Sequence, residues 1–113
     1  MIVEVNTLLA TICFLGQCYP ALVGEDTLSG TYDLQKRIVI SEGYGGNVLA
    51  YRETKDKIFA VHRVWKDPNK DREFILNNKN STQRRFTNGC INVSYDVYDK
   101  LLKKWSTVTL VVK

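Results

Sequence analysis

RRFTNGCINVSYDVYDKLLKKW, residues 84–105, carries the pair Gly89-Cys90 and, directly after it, the clearest helix signal in the chain. Val97, Leu101 and Trp105 recur at every fourth position, with Tyr98 and Leu102 on the adjoining stripe, so one face of such a helix is apolar. Ser94 suits the N-cap, Asp96 complements the positive N-terminus, and Lys103 and Lys104 complement the negative end. The spacing predicts a helix over 94–105. Cys90, just ahead of it, is either a small buried hydrophobe or a nucleophile. The only histidine, His62, lies 28 positions upstream.

Upstream of this stretch the chain reads as β-structure. MIVEV is a short alternating run, and ATICFL and CYPALVG are two apolar runs joined at Gly16-Gln17. TYDLQKRIVIS, VLAYRE and IFAVHRVW follow as further strands, separated by the glycine-rich EGYGGN and by TKDK, and TVTLVVK closes the chain as a strand. Short strands at fairly regular spacing predict a mainly β sandwich or small barrel rather than βαβ units. The segment 66–83 breaks the rhythm: it is polar, contains Pro68, and predicts a long loop insertion with one short helix around 71–78.

With 113 residues, 44% hydrophobic and 25% charged, the chain fits one globular domain, residues 1–113. The net charge of +4 is dispersed, with no block of five or six like charges, so charge alone points to a solvated basic surface and not to nucleic acid. The apolar stretch 6–24 has no basic start, is broken by Gly16, Gln17 and Pro20, and is shorter than the ~20 residues of a membrane span. It reads as core strands, without a membrane span or a classical export signal. The three cysteines and one histidine make no zinc pattern. A Cys13–Cys18 disulfide would need the two residues opposite each other across a hairpin. A Gly16-Gln17 turn, with glycine supplying the positive φ, sets Cys18 opposite Leu15 instead and argues against it.

A thiol becomes nucleophilic when a neighbouring histidine or backbone N–H groups stabilise its thiolate. Gly89 permits a tight turn that aims N–H groups at a developing oxyanion, Arg84 and Arg85 add positive potential, and His62 ends a strand that holds it rigidly. Histidine precedes cysteine, the reverse of papain-like peptidases. Caspases use another motif on a larger fold, and sortases place an arginine after the cysteine, where this chain has none.

TNGCINV resembles the signature of the bacterial L,D-transpeptidase catalytic domain, Ser/Thr-His-Gly-Cys followed by an apolar residue and Asn or Arg, through Thr87, Gly89, Cys90, Ile91 and Asn92. Gly24, Thr27, Gly30 and Tyr32 match the family's segment ending a strand in glycine, with Leu28 where proline is usual, and His62 matches its upstream histidine. The likeness runs from about Val3 to Val112. Three features depart from the pattern: Asn88 replaces the motif histidine, Arg63 stands where a small residue is usual, and the 24 residues between His62 and Thr87 exceed the usual gap. A branch of the family with an arginine two residues before the Ser/Thr is similar, and Arg85 fits it.

The resemblance implies a β-sandwich or barrel of the L,D-transpeptidase type with one helix towards the C-terminus. It implies a cysteine L,D-transpeptidase or L,D-carboxypeptidase acting on peptidoglycan tetrapeptide stems, without cofactor or metal. Cys90 would be the nucleophile, His62 the general base, and the backbone at Gly89 and Cys90 the oxyanion site. Asn88, Asn92, Arg85, Thr87 and Tyr44 would contact substrate, and 66–83 would form a lid. Trp65 and Trp105 are expected to pack. The alternative is a non-catalytic peptidoglycan-binding module of the same fold, silenced by Asn88. Either would work in the periplasm or cell wall. The export route and the oligomeric state stay open, and a nucleic-acid partner is not expected.

Overall fold

A computed structural model of the chain describes residues 1–41, 43–67 and 70–113. Glu42 in the glycine-rich loop and Pro68 in the polar insertion lie outside the described residues.

The first sheet is built from β1 (Ile2–Asn6), β2 (Thr11–Phe14) and β3 (Gln17–Pro20), joined by two strands from further along the chain. The short β4 (Val23–Gly24) leads out of it, and β5 (Gly30–Asp33) returns to it. The second sheet starts with β6 (Gln35–Val39), β7 (Gly46–Glu53) and β8 (Ile58–Arg63). The insertion contributes β9 (Lys66–Asp67), β10 (Lys70–Asp71), α1 (Arg72–Leu76) and a 3-10 turn at Ser81–Arg84. Then come β11 (Arg85–Thr87), β12 (Ile91–Val93), α2 (Tyr95–Leu102), a 3-10 turn at Trp105–Thr107 and β13 (Thr109–Val112). The sheet orders are β3-β2-β1-β13-β5 and β12-β8-β7-β6, and β11 pairs in parallel with β4. Both large sheets are open, so the mainly β sandwich expected from the sequence holds and no closed barrel forms.

Alternation along the strands makes the core. Val3, Val5, Ile12, Leu110 and Val112 from the first sheet pack with Leu49, Tyr51, Phe59, Val61, Ile91 and Val93 from the second, and Val97, Tyr98 and Leu101 of α2 join them. The stretch TYDLQKRIVIS is not one strand. It breaks at the buried Leu34, so that β5 serves the first sheet and β6 the second. The predicted helix over 94–105 is shorter than its apolar stripe: α2 stops at Leu102, and Trp105 begins the 3-10 turn, where it still packs against the core. Ser94 caps α2 as expected, its Oγ accepting from the Val97 N–H.

The β2–β3 hairpin corrects the expected turn. Its two central residues are Leu15 and Gly16, with φ of 51° and 77°, and not Gly16 and Gln17. Positive φ at both positions is the I′ geometry that follows strand twist. Phe14 therefore pairs with Gln17 and Cys13 with Cys18, and the two cysteines form a disulfide. The bond closes a loop with a sequence separation of 5, for which chain entropy gives a stabilisation of about 2 kcal/mol. Cys13→Ser with Cys18→Ser should lower the urea unfolding free energy by that amount without changing the fold, read as a shifted midpoint at constant slope.

Candidate active site

β12 runs parallel to β8 with Ile91 opposite Val61 and Asn92 opposite His62. Cys90, one residue before β12, falls level with Ala60. Side chains two apart on a strand share a face, so Ile91 and Val93 enter the core while Cys90 and Asn92 turn to the other face with Ala60 and His62. On that face lies a cleft of about 640 Å³ lined by Cys90, His62, Ala60, Ile58, Tyr44 and Val48, among others. Cys90 and His62 are diagonal neighbours that line one cleft, with the Cys90 thiol at rest directed to the Ile58 carbonyl.

His62 is only 4% exposed. Its Nδ1 lies 2.7 Å from the Arg63 carbonyl oxygen. A carbonyl only accepts, so Nδ1 carries the proton and Nε2 keeps its lone pair. Burial lowers the His62 pKa from the ordinary 6.5; the Arg63 carbonyl opposes this and the Arg72 guanidinium adds to it. Cys90 is half-buried, its Sγ 3.8 Å from the Ile58 carbonyl, and burial raises its pKa above the usual 9.0, partly offset by the Ala60 backbone. Both shifts favour neutral forms, so the resting pair is thiol and imidazole and not thiolate and imidazolium.

Gly89 shapes the turn before Cys90. Its φ is +131°, and a Cβ there would stand 2.5 Å from the Phe59 ring. Its carbonyl oxygen accepts from the Tyr51 hydroxyl at 2.6 Å and from Thr27 Oγ1 at 3.0 Å. Burial pushes the Tyr51 pKa up to about 12, which keeps this donor protonated. In a trans peptide the N–H points opposite to the C=O. The two hydrogen bonds on the Gly89 carbonyl therefore also fix the orientation of the Cys90 N–H. Thr87 completes the turn: its Oγ1 donates to the Cys90 carbonyl at 2.6 Å and accepts from the Gly89 N–H at 3.2 Å.

The other sequence-derived candidates separate. Tyr44 packs edge-on against His62, with ring centroids 4.9 Å apart, and stacks on Trp65 at 5.8 Å, so both form a wall over the imidazole. Arg85, Thr87 and Asn88 line a neighbouring pocket of about 410 Å³ with Gly24, Glu25 and Asp26, not the Cys90 cleft. Asn92 is 1% exposed, and neither its Oδ1 nor its Nδ2 finds a partner among the described residues. Arg84 is buried and donates to the carbonyls of Leu9, Ala10 and Asn78, anchoring the insertion. The insertion's Leu76 packs with Leu22 and Val64, and Arg72 lies over the Trp65 ring at 5.0 Å.

Tyr51 and Arg63 hold the surroundings of Cys90 and His62 in place, although the sequence reading assigned them no role. Nothing local marks Tyr51, whose partner is 38 residues away. Arg63 was noted only as a departure from the family pattern. Its Nη1 donates to the Tyr44 carbonyl at 3.1 Å and the Gly45 carbonyl at 3.3 Å, and its guanidinium lies 4.3 Å from the Tyr98 ring and reaches Asp99 of α2 at 3.7 Å. It therefore ties the loop carrying Tyr44 to the helix. Arg63→Ala should free this loop, rehydrate His62 and move its pKa up towards 6.5, read from the ring-proton shift in a ¹H NMR titration of the only histidine.

No protein-family profile matches the sequence, nor does any curated protein sequence. Solved structures do match. An L,D-transpeptidase from Mycobacterium smegmatis superposes with a TM-score of 0.60 at 20% identity, covering 99% of this chain and 58% of that one. One from Mycobacterium tuberculosis H37Rv gives 0.61 at 17% identity, covering 99% and 57%. The L,D-transpeptidase of Xylanimonas cellulosilytica gives 0.59 at 12% identity, covering 99% and 59%. This chain thus spans a little under three fifths of their length. With near-complete coverage of this chain at these TM-scores, the chain has the fold of the L,D-transpeptidases.

Proposed function

We propose that residues 1–113 form a catalytic domain that acts as a cysteine L,D-transpeptidase or L,D-carboxypeptidase on peptidoglycan tetrapeptide stems. The observation that carries this reading is the placing of Cys90 and His62 on one sheet face, in one cleft, beside a Gly89–Cys90 peptide held by two hydrogen bonds on its carbonyl. Cys90 Sγ attacks the carbonyl at the L-centre of diaminopimelate while its proton passes to His62 Nε2. The tetrahedral oxyanion is met by the Cys90 N–H, a type of contact worth about 3–4 kcal/mol in a comparable hydrolase site. Collapse breaks the amide bond, and the His62 imidazolium gives its proton to the departing D-alanine amine. The thioester then passes to an acceptor amine, or to water in the carboxypeptidase case. The Arg63 carbonyl, accepting from Nδ1–H, stabilises the imidazolium formed midway.

Tyr44 is the cleft residue best placed to contact the stem beside His62, and Arg85, Thr87 and Asn88 offer polar contacts in the neighbouring pocket. Asn92 Nδ2 and Oδ1, buried and unsatisfied beside His62, are suited to an ordered water. The Cys13–Cys18 disulfide is at home in an oxidising compartment, which supports action in the periplasm or cell wall.

The test is incubation with a disaccharide-tetrapeptide, read by intact-protein and product mass spectrometry, with Cys90→Ala in parallel. A Cys90-dependent acyl adduct with loss of D-alanine is the expected result, and the cross-linked dimer or the tripeptide then names the acceptor. Absence of adduct and turnover in a folded protein that still binds the muropeptide would instead make this a non-catalytic binding module.

A further inference from the structure

A second surface stands apart from the catalytic cleft. Between the β2–β3 hairpin and the end of α2 lies a groove of about 370 Å³, lined among others by Phe14, Leu15, Tyr19, Lys100, Lys103 and Lys104. At the hairpin tip Leu15 is 74% exposed and holds φ at 51°. That position of an I′ turn favours Asn, Asp or Gly, and a leucine there is both strained and wet. The Cys13–Cys18 disulfide sits one residue pair behind the tip and stiffens it, so little ordering entropy is lost on docking. All three lysines are exposed, and none has an ion-pair partner among the described residues. Lys100 rests on Tyr19, its Nζ 3.3 Å from the hydroxyl and 5.1 Å from the ring centroid. Compensation of the helix dipole explains Lys103 and Lys104 on their own. It does not explain an apolar finger held out beside them.

We propose that this surface docks on an anionic lipid bilayer, with Leu15 entering the headgroup–acyl boundary while Lys100, Lys103 and Lys104 meet lipid phosphates. Positive charge around an exposed apolar tip is the pairing that peripheral membrane attachment uses. A soluble polyanion would satisfy the lysines but offers Leu15 nothing to enter. The attachment is peripheral and reversible, and it does not depend on the chemistry proposed for Cys90.

The experiment is flotation of the purified chain with vesicles of phosphatidylcholine alone and of phosphatidylcholine with phosphatidylglycerol, at low and high salt. The wild type should float with the anionic vesicles and be released by salt. Leu15→Asn suits the turn and leaves the disulfide intact, so it should fold at least as well, yet partition about tenfold less. Lys103→Gln with Lys104→Gln should lose about 25-fold, at about fivefold for each lysine near a charged surface. Equal flotation on both vesicle types, or unchanged partitioning of Leu15→Asn, would overturn the proposal. So would a dimer in sedimentation velocity that Leu15→Asn dissolves, which would give the surface to a second copy.

Discussion

Gly89→Ala is expected to unfold more readily and to lose acylation even where it stays folded. The new methyl group would stand 2.5 Å from the ring of the buried Phe59 and 3.1 Å from Asp26 Cβ. Overpacking of this kind costs about 1–3 kcal/mol. A φ of +131° adds about 1–3 kcal/mol for a residue with a side chain. The sum, about 2–6 kcal/mol, is a large share of the roughly 5–15 kcal/mol that stabilises a domain of this size. The folded fraction must relieve the clash by moving the Gly89–Cys90 peptide, which pulls its carbonyl off Tyr51 and Thr27 and swings the Cys90 N–H away from the oxyanion. Losing one such donor costs about 10²–10³ in rate. Tyr51→Phe separates the two effects, because it keeps the ring packing and removes one of the two bonds on the Gly89 carbonyl. Its unfolding midpoint should move little while acylation slows. Equal loss of stability and rate in Tyr51→Phe would mean that the hydroxyl only supports the fold.

The Gly89 clasp also marks where the sequence stops being legible. Cys90, His62 and the strands that carry them could be read, because a motif and a period-2 pattern are local. The clasp could not, since Tyr51 and Thr27 meet Gly89 across 38 and 62 residues. The hairpin turn was misread by one residue for a physical reason: leucine disfavours positive φ, so local preference moved the turn to Gly16-Gln17 and hid the Cys13–Cys18 pairing. The strain at Leu15 is tolerated because strand register and the disulfide impose it together. Arg84 is a further case: its charge is visible in the sequence, but its partners, the carbonyls of Leu9, Ala10 and Asn78, are not. A charge seen in sequence says nothing about which carbonyls will claim it.

His62→Ala should slow acylation of Cys90 by about 10²–10⁴ at neutral pH, the usual worth of a general base. Because the resting thiol is protonated and its pKa is raised above 9.0, the variant must wait for spontaneous ionisation, and its rate should climb with pH through 9 and beyond. In the wild type the base is competent wherever His62 is neutral. Its pKa is lowered below 6.5, so the acid limb of the rate profile should lie on the acid side of that value. The same shift links to stability. Between 6.5 and the lower folded pKa the unfolded chain binds a proton that the folded chain refuses. Stability is therefore full above pH 6.5, declines as pH falls towards the folded value, and is flat below it; His62→Gln should abolish that decline. Alkylation of Cys90, the only free thiol, reads the same chemistry without substrate. It should be slow at neutral pH, since burial keeps the resting thiol protonated. Fast alkylation near pH 7 would mean a preformed thiolate, and would overturn the neutral resting pair on which both arguments depend.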